Sequence, residues 1–418
     1  MHPILRIVAL IAVFLVTTVA WMALGGAMSA RTSESRGDLH GKVAELWGRE
    51  HLQDAPAVTF HWSTERVDVS TEVVNGTARE VRKRVAVHHQ EPRPLASTAV
   101  TADLHLDPRR KGLLWYALYD VDFQGLWSYE HTGDLSGYAR VQFSFPDTSG
   151  VYDDFRLVVN GEDHGGLSPD DGVLSVNVPV APGDIVTIDA GYRSRGMDEW
   201  SYLPSTEVSS LSNFRVAMTT DFHDIDFPAY VMSPSNKVET TDGWELEWAF
   251  DQVVTNHNVG MVMPQRIQPG PLAAEITFSA PISLFFFVLL IEALALLRGI
   301  RIHPINYAFL SGAFFAFHLV FGYTADHLPV EQAFALASVV SVVLVVNYLR
   351  LVVSPSFAVF QAGAAQLIYL VGFALAHFWD GYTGLTVTVL SVGTLFVLMQ
   401  LTAKLDWEGA FRREPAAA

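Results

Sequence analysis

Cysteine is absent from the 418-residue chain. Its absence excludes disulfide bridges, thiol nucleophiles and cysteine-based metal sites. The sequence also lacks the Gly-x-Ser-x-Gly nucleophile motif, a phosphate-binding glycine loop and the His-Glu-x-x-His zinc motif. We therefore predict no enzymatic activity, no catalytic residues and no cofactor or metal site. A membrane-embedded enzyme acting on lipid or glycan is kept as a minor alternative.

Charged residues are scarce, at 17% of the chain, and they are unevenly distributed. Residues 31–275 hold 20 Lys and Arg against 37 Asp and Glu, whereas the rest of the chain holds 7 of each sign. The entire net charge of −17 therefore lies in this one region. Such acidity disfavours nucleic acid as a partner.

Charged residues are nearly missing from residues 279–405, apart from short loops. A helix needs about 20 apolar residues to cross the ~30 Å hydrocarbon core of a bilayer. The loops divide the stretch into five segments of that length, and proline lies at or near the start of the first four. We predict five transmembrane helices, at 281–297, 304–323, 329–349, 355–377 and 383–403.

A sixth apolar run, residues 7–24, lies near the amino terminus. Small residues follow it at 25–30, so a cleaved signal peptide is one interpretation. Its 18 residues exceed the usual signal-peptide core of about 7 to 15 residues and are enough to span a membrane. We therefore favour an uncleaved anchor.

Loop charges predict the orientation of the helices. Arg298 and Arg301 follow the first of the five segments, Arg350 follows the third and Lys404 follows the fifth, whereas the two intervening loops contain no Lys or Arg. The positive-inside rule places the basic loops in the cytoplasm. We predict a multi-pass membrane protein with both termini cytoplasmic and residues 31–275 on the outer side of the membrane.

Residues 31–275 have the pattern of β-strands. Alternating apolar and polar residues flank Asn75-Gly76, which is a strong hairpin signal. Similar runs with turn residues between them recur at about ten-residue spacing, among them 139–145, 173–180, 185–192 and 214–220. Only 44–50 and 113–123 suggest short helices. The predicted fold is a membrane α-helical bundle of six helices, one plus five, with a large inserted extracytoplasmic antiparallel β-sandwich.

Glu292 is the most informative single residue, because an ionisable group inside a spanning helix is costly and indicates function by default. Its structural alternative is an ion pair with Arg298, Arg301 or Arg350. His318 lies midway along the next predicted helix and could face Glu292 in a proton relay. The alternative for His318 is a neutral, hydrogen-bonded histidine inside the bundle.

A short basic turn, Arg298 to Pro304, is the second candidate region; it contains Arg298, Arg301, His303 and Pro304. Its simplest role is to fix topology and to contact anionic lipid headgroups. The opposite loops contribute Asp326 and His327, which polar loop ends explain without a ligand.

Several of these residues carry a family resemblance. Glu292 precedes Arg301-Ile-His303-Pro304-Ile-Asn-Tyr307, and the last segment is followed by Asp406-Trp407. With the single anchor, the β-rich region and the five helices, this pattern resembles the CreD family of inner-membrane proteins. The resemblance implies a bacterial inner-membrane protein, with residues 31–275 in the periplasm and a role in cell-envelope integrity and envelope-stress responses. It implies no established enzymatic activity and gives no catalytic residues to transfer.

The predicted organisation is an anchor at 1–30, a periplasmic β-rich domain at 31–275, a five-helix domain at 276–405 and a cytoplasmic tail at 406–418. The predicted function is a non-enzymatic contribution to envelope integrity or stress response, with the β-rich domain as interaction surface. The alternative is a small proton- or ion-coupled transporter that uses Glu292 and His318. The expected partners are membrane lipids and a periplasmic or envelope protein, and the sequence leaves the oligomeric state open.

Overall fold

The computed structural model describes residues 3–74, 77–111, 114–379 and 381–403. It divides into two compact units. A helical unit comprises residues 1–39, 110–114 and 267–418, and a β-rich unit comprises residues 40–109 and 115–266. The first helix runs from one unit into the other, because its residues on either side of position 39 belong to different units.

Six helices in the described part of the chain are long and apolar enough to cross a membrane. They are α1 (Pro3–Trp47), α2 (Pro269–Leu297), α3 (Pro304–Thr324), α4 (Val330–Val352), α5 (Phe357–Phe378) and α6 (Thr383–Thr402). A buried cluster joins the first five of them, with Trp21 of α1, Phe287 of α2 and Phe314 of α3 each fully enclosed. All backbone polar groups inside such a helix are paired along the helix itself, which is why this element can cross lipid.

α2 begins twelve residues before its predicted start, so Pro281 lies inside the helix instead of at its first turn. Pro269 occupies the first turn, where the missing N–H costs least. Four residues upstream of Pro281 are apolar and packed in the bundle core, namely Leu272, Ala273, Ala274 and Ile276. This burial continues the helix upstream of the proline that we expected to begin it.

α5 is irregular. Phe357–Ala362 and Leu367–Gly372 form two π-helical turns, separated by Gly363–Gln366 in α-helical geometry, and Ala376–Phe378 ends in a 3₁₀ turn. π-Turns widen a helix locally and are rare. The predicted helix is present, but its regular α-helical geometry is interrupted twice.

Seventeen strands are described. They are β1 (His51–Asp54), β2 (Ala57–Val74), β3 (Thr77–Arg93), β4 (Ser97–Leu106), β5 (Arg109–Lys111), β6 (Leu114–Tyr116), β7 (Leu118–Glu130), β8 (Gly137–Ser144), β9 (Tyr152–Val159), β10 (Glu162–Asp163), β11 (Val173–Val180), β12 (Ile185–Met197), β13 (Glu199–Leu203), β14 (Ser209–Thr220), β15 (Asn236–Glu239), β16 (Trp244–Thr255) and β17 (Val259–Val262).

The strands form one large sheet and three smaller ones. The eight-stranded sheet has the order β10-β9-β12-β7-β4-β14-β16-β15, and the four-stranded sheet has the order β11-β8-β2-β3. A three-stranded sheet has the order β1-β13-β17, and β5 pairs with β6. A single hydrophobic core contains residues from both larger sheets; for example, Trp127 of β7 lies 6.5 Å from Phe143 of β8 between ring centroids.

The predicted all-antiparallel pairing is wrong at two places. β4 pairs with β14 in parallel, and β1 pairs with β13 in parallel. A parallel pair requires a long crossover between its strands. The more than 100 residues between β4 and β14 provide that crossover, and periodicity along one strand cannot reveal which distant strand it meets.

The predicted hairpin at residues 67–88 is confirmed, since β2 and β3 pair in register down to Val74 and Thr77. Asn75 and Gly76 themselves lie outside the described residues. The predicted helix at 113–123 is wrong, because Leu118 to Phe123 belong to β7, which hydrogen-bonds to β4 and β12 on its two sides. The predicted helical piece at 44–50 is the end of α1 up to Trp47.

Candidate functional site

Glu292 lies near the carboxyl end of α2, and both of its carboxylate oxygens accept hydrogen bonds from other helices. Arg6 of α1 donates through Nη2 to Oε1 at 2.5 Å, and the Tyr307 hydroxyl of α3 donates to Oε2 at 2.5 Å. The side chains of Arg6 and Glu292 are 23% and 28% exposed. One carboxylate therefore connects three helices through charge-assisted hydrogen bonds, the stronger class of such bonds.

Tyr307 reaches this carboxylate because of how α3 begins. Pro304 occupies the first turn, and the His303 side chain accepts a hydrogen bond from the Ile305 backbone N–H at 3.3 Å, which caps the helix. Three residues after Pro304, Tyr307 is 1% exposed. The turn that the sequence singles out thus orients a tyrosine that our candidate residues omitted.

Arg6 is the second partner that the sequence analysis missed. We expected Glu292 to pair with Arg298, Arg301 or Arg350. In the structure, the Arg298 guanidinium instead donates to the Gln361 side chain at 3.2 Å, and Arg350 donates to Asn347 at 2.9 Å. Arg6 is the only basic residue before the first apolar run, which was the available signal.

The basic turn is organised by helix termination. Gly299 adopts a left-handed conformation with φ of 68°, and the Ile300 N–H returns to the Ala295 carbonyl at 2.9 Å. Arg301 and His303 are exposed, whereas Ile302 between them is buried. The turn therefore holds one apolar residue inward and directs its cationic side chains outward.

His318 does not contact Glu292. It lies eleven residues after Tyr307 on α3, about 16 Å further along the helix axis. Its ring packs edge-on against Trp21 at 5.8 Å and against Phe317 at 5.0 Å between ring centroids. Among the described residues, neither ring nitrogen has a hydrogen-bond partner. The structure does not bring the two residues of the predicted relay together, and the transporter remains a prediction.

Buried polar residues in the middle of the helical unit connect helices. Gln366 of α5 donates to the Ser341 hydroxyl of α4 at 2.8 Å, and Ser341 donates to the Ala313 carbonyl of α3 at 2.7 Å. Tyr369 and Thr394 are hydrogen-bonded at 2.6 Å between α5 and α6. Such contacts stabilise helix association in lipid by about 0.6 to 2 kcal/mol each.

Asp326, at the opposite end of α3 from Tyr307, is a second polar junction of the helical unit. Arg31 of α1 forms an ion pair with its carboxylate at 2.7 Å, and Arg110, which belongs to the same unit, donates to its carbonyl at 2.6 Å. The Arg31 guanidinium also lies 5.5 Å from the centroid of the Tyr323 ring. Arg6 and Arg31 thus hold α1 to the rest of the helical unit at two points along the helix.

The β-rich unit contains a buried titratable residue at its first strand. His51 of β1 is 1% exposed, and neither of its ring nitrogens has a partner among the described residues. Its ring lies edge-on to Tyr119 at 5.8 Å between centroids. Burial lowers the pKa of His51 from 6.5 to about 4, against a smaller opposing effect of Asp147. His51 is therefore neutral in the folded protein at pH 7.

Metal-binding side chains do not cluster. Within the described residues, no group of three or more His, Asp or Glu could hold a metal ion. Asp406 and Trp407, the last two candidate residues, lie outside the described residues.

The helical unit matches a known family. Residues 280–408 match the family described as Inner membrane protein CreD. The match assigns this part of the chain to the CreD family. The resemblance predicted from the Glu292, Arg301 to Tyr307 and Asp406-Trp407 pattern is confirmed, and the CreD segment contains all of these residues. The similarity to the CreD family covers residues 280–408, and the β-rich unit precedes this segment.

Other comparisons add little to the CreD match. No curated protein shows a significant match to the chain. Among solved structures, a "putative nutrient binding protein" from Legionella pneumophila aligns over 58% of this chain and 96% of its own, with 11% identity and a TM-score of 0.30. A similarity this low supports no inference about fold or function.

Proposed function

We propose that this CreD-type protein contributes to cell-envelope integrity or to an envelope-stress response without catalysing a reaction, and that its β-rich unit is the interaction surface for a periplasmic or envelope protein. The supporting observation is the arrangement along the chain: the β-rich unit is inserted between α1 and α2, ahead of the segment that matches the CreD family. Its strongly acidic composition suits contacts with proteins rather than with nucleic acid.

We further propose a topology of one plus five membrane helices, with both termini cytoplasmic and the two larger sheets packed as a sandwich. The basic residues Arg6, Arg298 and Arg301 lie at the helix ends around Glu292, whereas Asp326 lies near the other ends, which supports this orientation. Core residues shared by both larger sheets support the sandwich. In this orientation, Arg298 and Arg301 contact anionic lipid headgroups.

Single cysteines test the topology directly, because the chain has none of its own. Ser149→Cys places an exposed thiol on the β-rich unit, and Ser356→Cys places one in the predicted cytoplasmic connection between α4 and α5. An impermeant maleimide added to intact spheroplasts is expected to label the first variant, and the second only after permeabilisation. The reverse labelling pattern would refute the orientation.

Complementation tests the function. Cells that lack the gene would receive the wild type, Glu292→Gln, or a version in which residues 48–266 are replaced by a short linker, and would be challenged with envelope stress. We expect the shortened version to fail and Glu292→Gln to complement, with immunoblots of the membrane fraction as the control for expression. If Glu292→Gln is expressed normally but fails to complement, while the shortened version complements, the function would lie in the helical unit and the proposal would be refuted.

A further inference from the structure

β2 and β3 form a two-stranded ribbon that extends beyond their sheet. β2 pairs with β8 only from Ala57 to His61, but it pairs with β3 all the way to Val74. From Trp62 onward, the edge of β2 opposite β3 has no partner strand in the described chain. None of the side chains from Ser63 to Ser70 is buried.

A ribbon of this kind is unusual in two physical respects. An isolated pair of strands is at best marginally stable in water, because it has no third layer to pack against. An open strand edge also presents unpaired N–H and C=O groups, which form a template for another strand. The free edge of β3 carries Arg82, Lys83 and Arg84 in succession, a charge run that blunts that side.

The free edge of β2 carries no such run, and its sequence is complementary to itself. In an antiparallel pairing about a two-fold axis at Val67, Arg66 lies opposite Asp68 of a second copy, and Asp68 lies opposite Arg66 of that copy. Thr64 and Ser70 form hydroxyl pairs in the same register, and Val67 meets Val67. Opposite charges, hydroxyls and β-branched residues are the pairs that stabilise adjacent strands.

We propose that the β2 edges of two copies of this chain pair antiparallel across Val67, which joins their ribbons into one four-stranded sheet. The interface is isologous, as is usual for two-fold dimers. The pairing of β2 with β3 within one chain adds a further opposite-charge pair, because Asp68 lies opposite Lys83 of its own β3. Within one chain, Arg66 already donates to the Asp68 carboxylate at 2.8 Å. In the dimer, each Asp68 also has a cation on either side, Lys83 of its own β3 and Arg66 of the second copy.

Two exposed valines of β2 are consistent with a second copy of the chain at this edge. Val67 and Val69 are 52% and 54% exposed on the same face of β2. The new pairing places the two Val67 side chains side by side at the axis and removes part of their surface from water. The proposal concerns self-association alone and does not depend on the envelope role proposed above.

Disulfide trapping in the full-length membrane protein tests the register. Directly opposed residues have Cα atoms about 4.5 to 5.5 Å apart, within disulfide range, whereas the two copies of residue 69 would lie about 13 Å apart along the strands. Val67→Cys should therefore give an oxidised dimer and Val69→Cys should not, although both side chains are similarly exposed. Equal dimer yields from the two variants, or no dimer from Val67→Cys, would overturn the proposal.

Charge variants in the Val67→Cys background supply a second test. Arg66→Asp places like charges opposite each other twice in the interface and should lower the dimer yield about fivefold. Adding Asp68→Arg restores both opposite-charge pairs and should restore the yield. An unaffected yield in the single variant, or no recovery in the swapped variant, would reject this pairing and favour a different partner strand. Unchanged thermal melting of each variant confirms that the fold is intact.

Discussion

Acidification from pH 6.5 to pH 4 is expected to destabilise the β-rich unit through His51. In the folded chain, burial holds the pKa of His51 at about 4, whereas the unfolded chain has the ordinary value of 6.5. Between these two values the unfolded state binds more protons, so stability falls as pH falls. At about 1.4 kcal/mol per unit of pKa, the loss contributed by this one residue is about 3 kcal/mol.

The effect should be measurable as a difference between two proteins. Tryptophan fluorescence would follow thermal melting of the detergent-solubilised chain at several pH values from 7 to 4, for the wild type and for His51→Gln. A loss of about 3 kcal/mol corresponds to a melting temperature lower by about 6 to 12 °C in a unit of this size. The many carboxylates also titrate in this range, so only the difference from His51→Gln isolates His51.

The difference in stability between the two proteins should change with pH in one direction. The wild type should lose more stability on acidification than His51→Gln, which carries a neutral side chain at every pH, and most of the difference should develop below pH 6.5. Parallel pH dependences in the two proteins would refute the assignment of a lowered pKa to His51. A wild type that becomes relatively more stable in acid would show that His51 gains a partner on protonation.

Two further changes test the packing. Tyr307→Phe removes one of the two donors to Glu292 and should cost about 1 kcal/mol of helical-unit stability, measured by melting in detergent. It should have little further effect in a Glu292→Leu background, which lacks the acceptor, so equal losses in both backgrounds would contradict the shared hydrogen bond. Gly243→Ala places a methyl group 2.0 Å from the backbone oxygen of Thr220 and should lower the stability of the β-rich unit by about 1 to 3 kcal/mol. Gly166→Ala is the matched control, because the added methyl group would have no atom within 4 Å and stability should hardly change. Similar melting temperatures for the two variants would contradict the close contact at Gly243.

Local periodicity predicted much of the fold. β11 coincides with the run predicted at 173–180, and each of the six predicted apolar segments overlaps a membrane-length helix. The helix predicted at 113–123 was wrong because the apolar residues there fit the period of a helix and that of a strand. Only the pairing of β7 with β4 and β12 shows that this segment is a strand. The helix start predicted at Pro281 was wrong because the packing of upstream residues overrides the preference of proline for the first turn of a helix.

The candidate site depended on contacts that a linear pattern cannot show. Glu292 stood out because a charged residue in an apolar run is costly, but its partner Arg6 lies 286 positions away. Tyr307 belongs to the motif that carried the family resemblance, yet its hydroxyl had no assigned role until α3 was oriented by Pro304 and His303. Helix-to-helix pairing is a property of the bundle, which explains both omissions.

The separation between Arg6 and Glu292 also has a consequence for biosynthesis. At about 5 to 20 residues per second, the ribosome needs about 15 to 60 s to make the intervening chain. During that time α2 and α3 are not yet made. Arg6 therefore lacks its partner Glu292, and Trp21 lacks the core residues that later bury it. The whole β-rich unit is synthesised in this interval. Slow translation of that unit would therefore prolong the time that α1 spends in the membrane without α2 and α3.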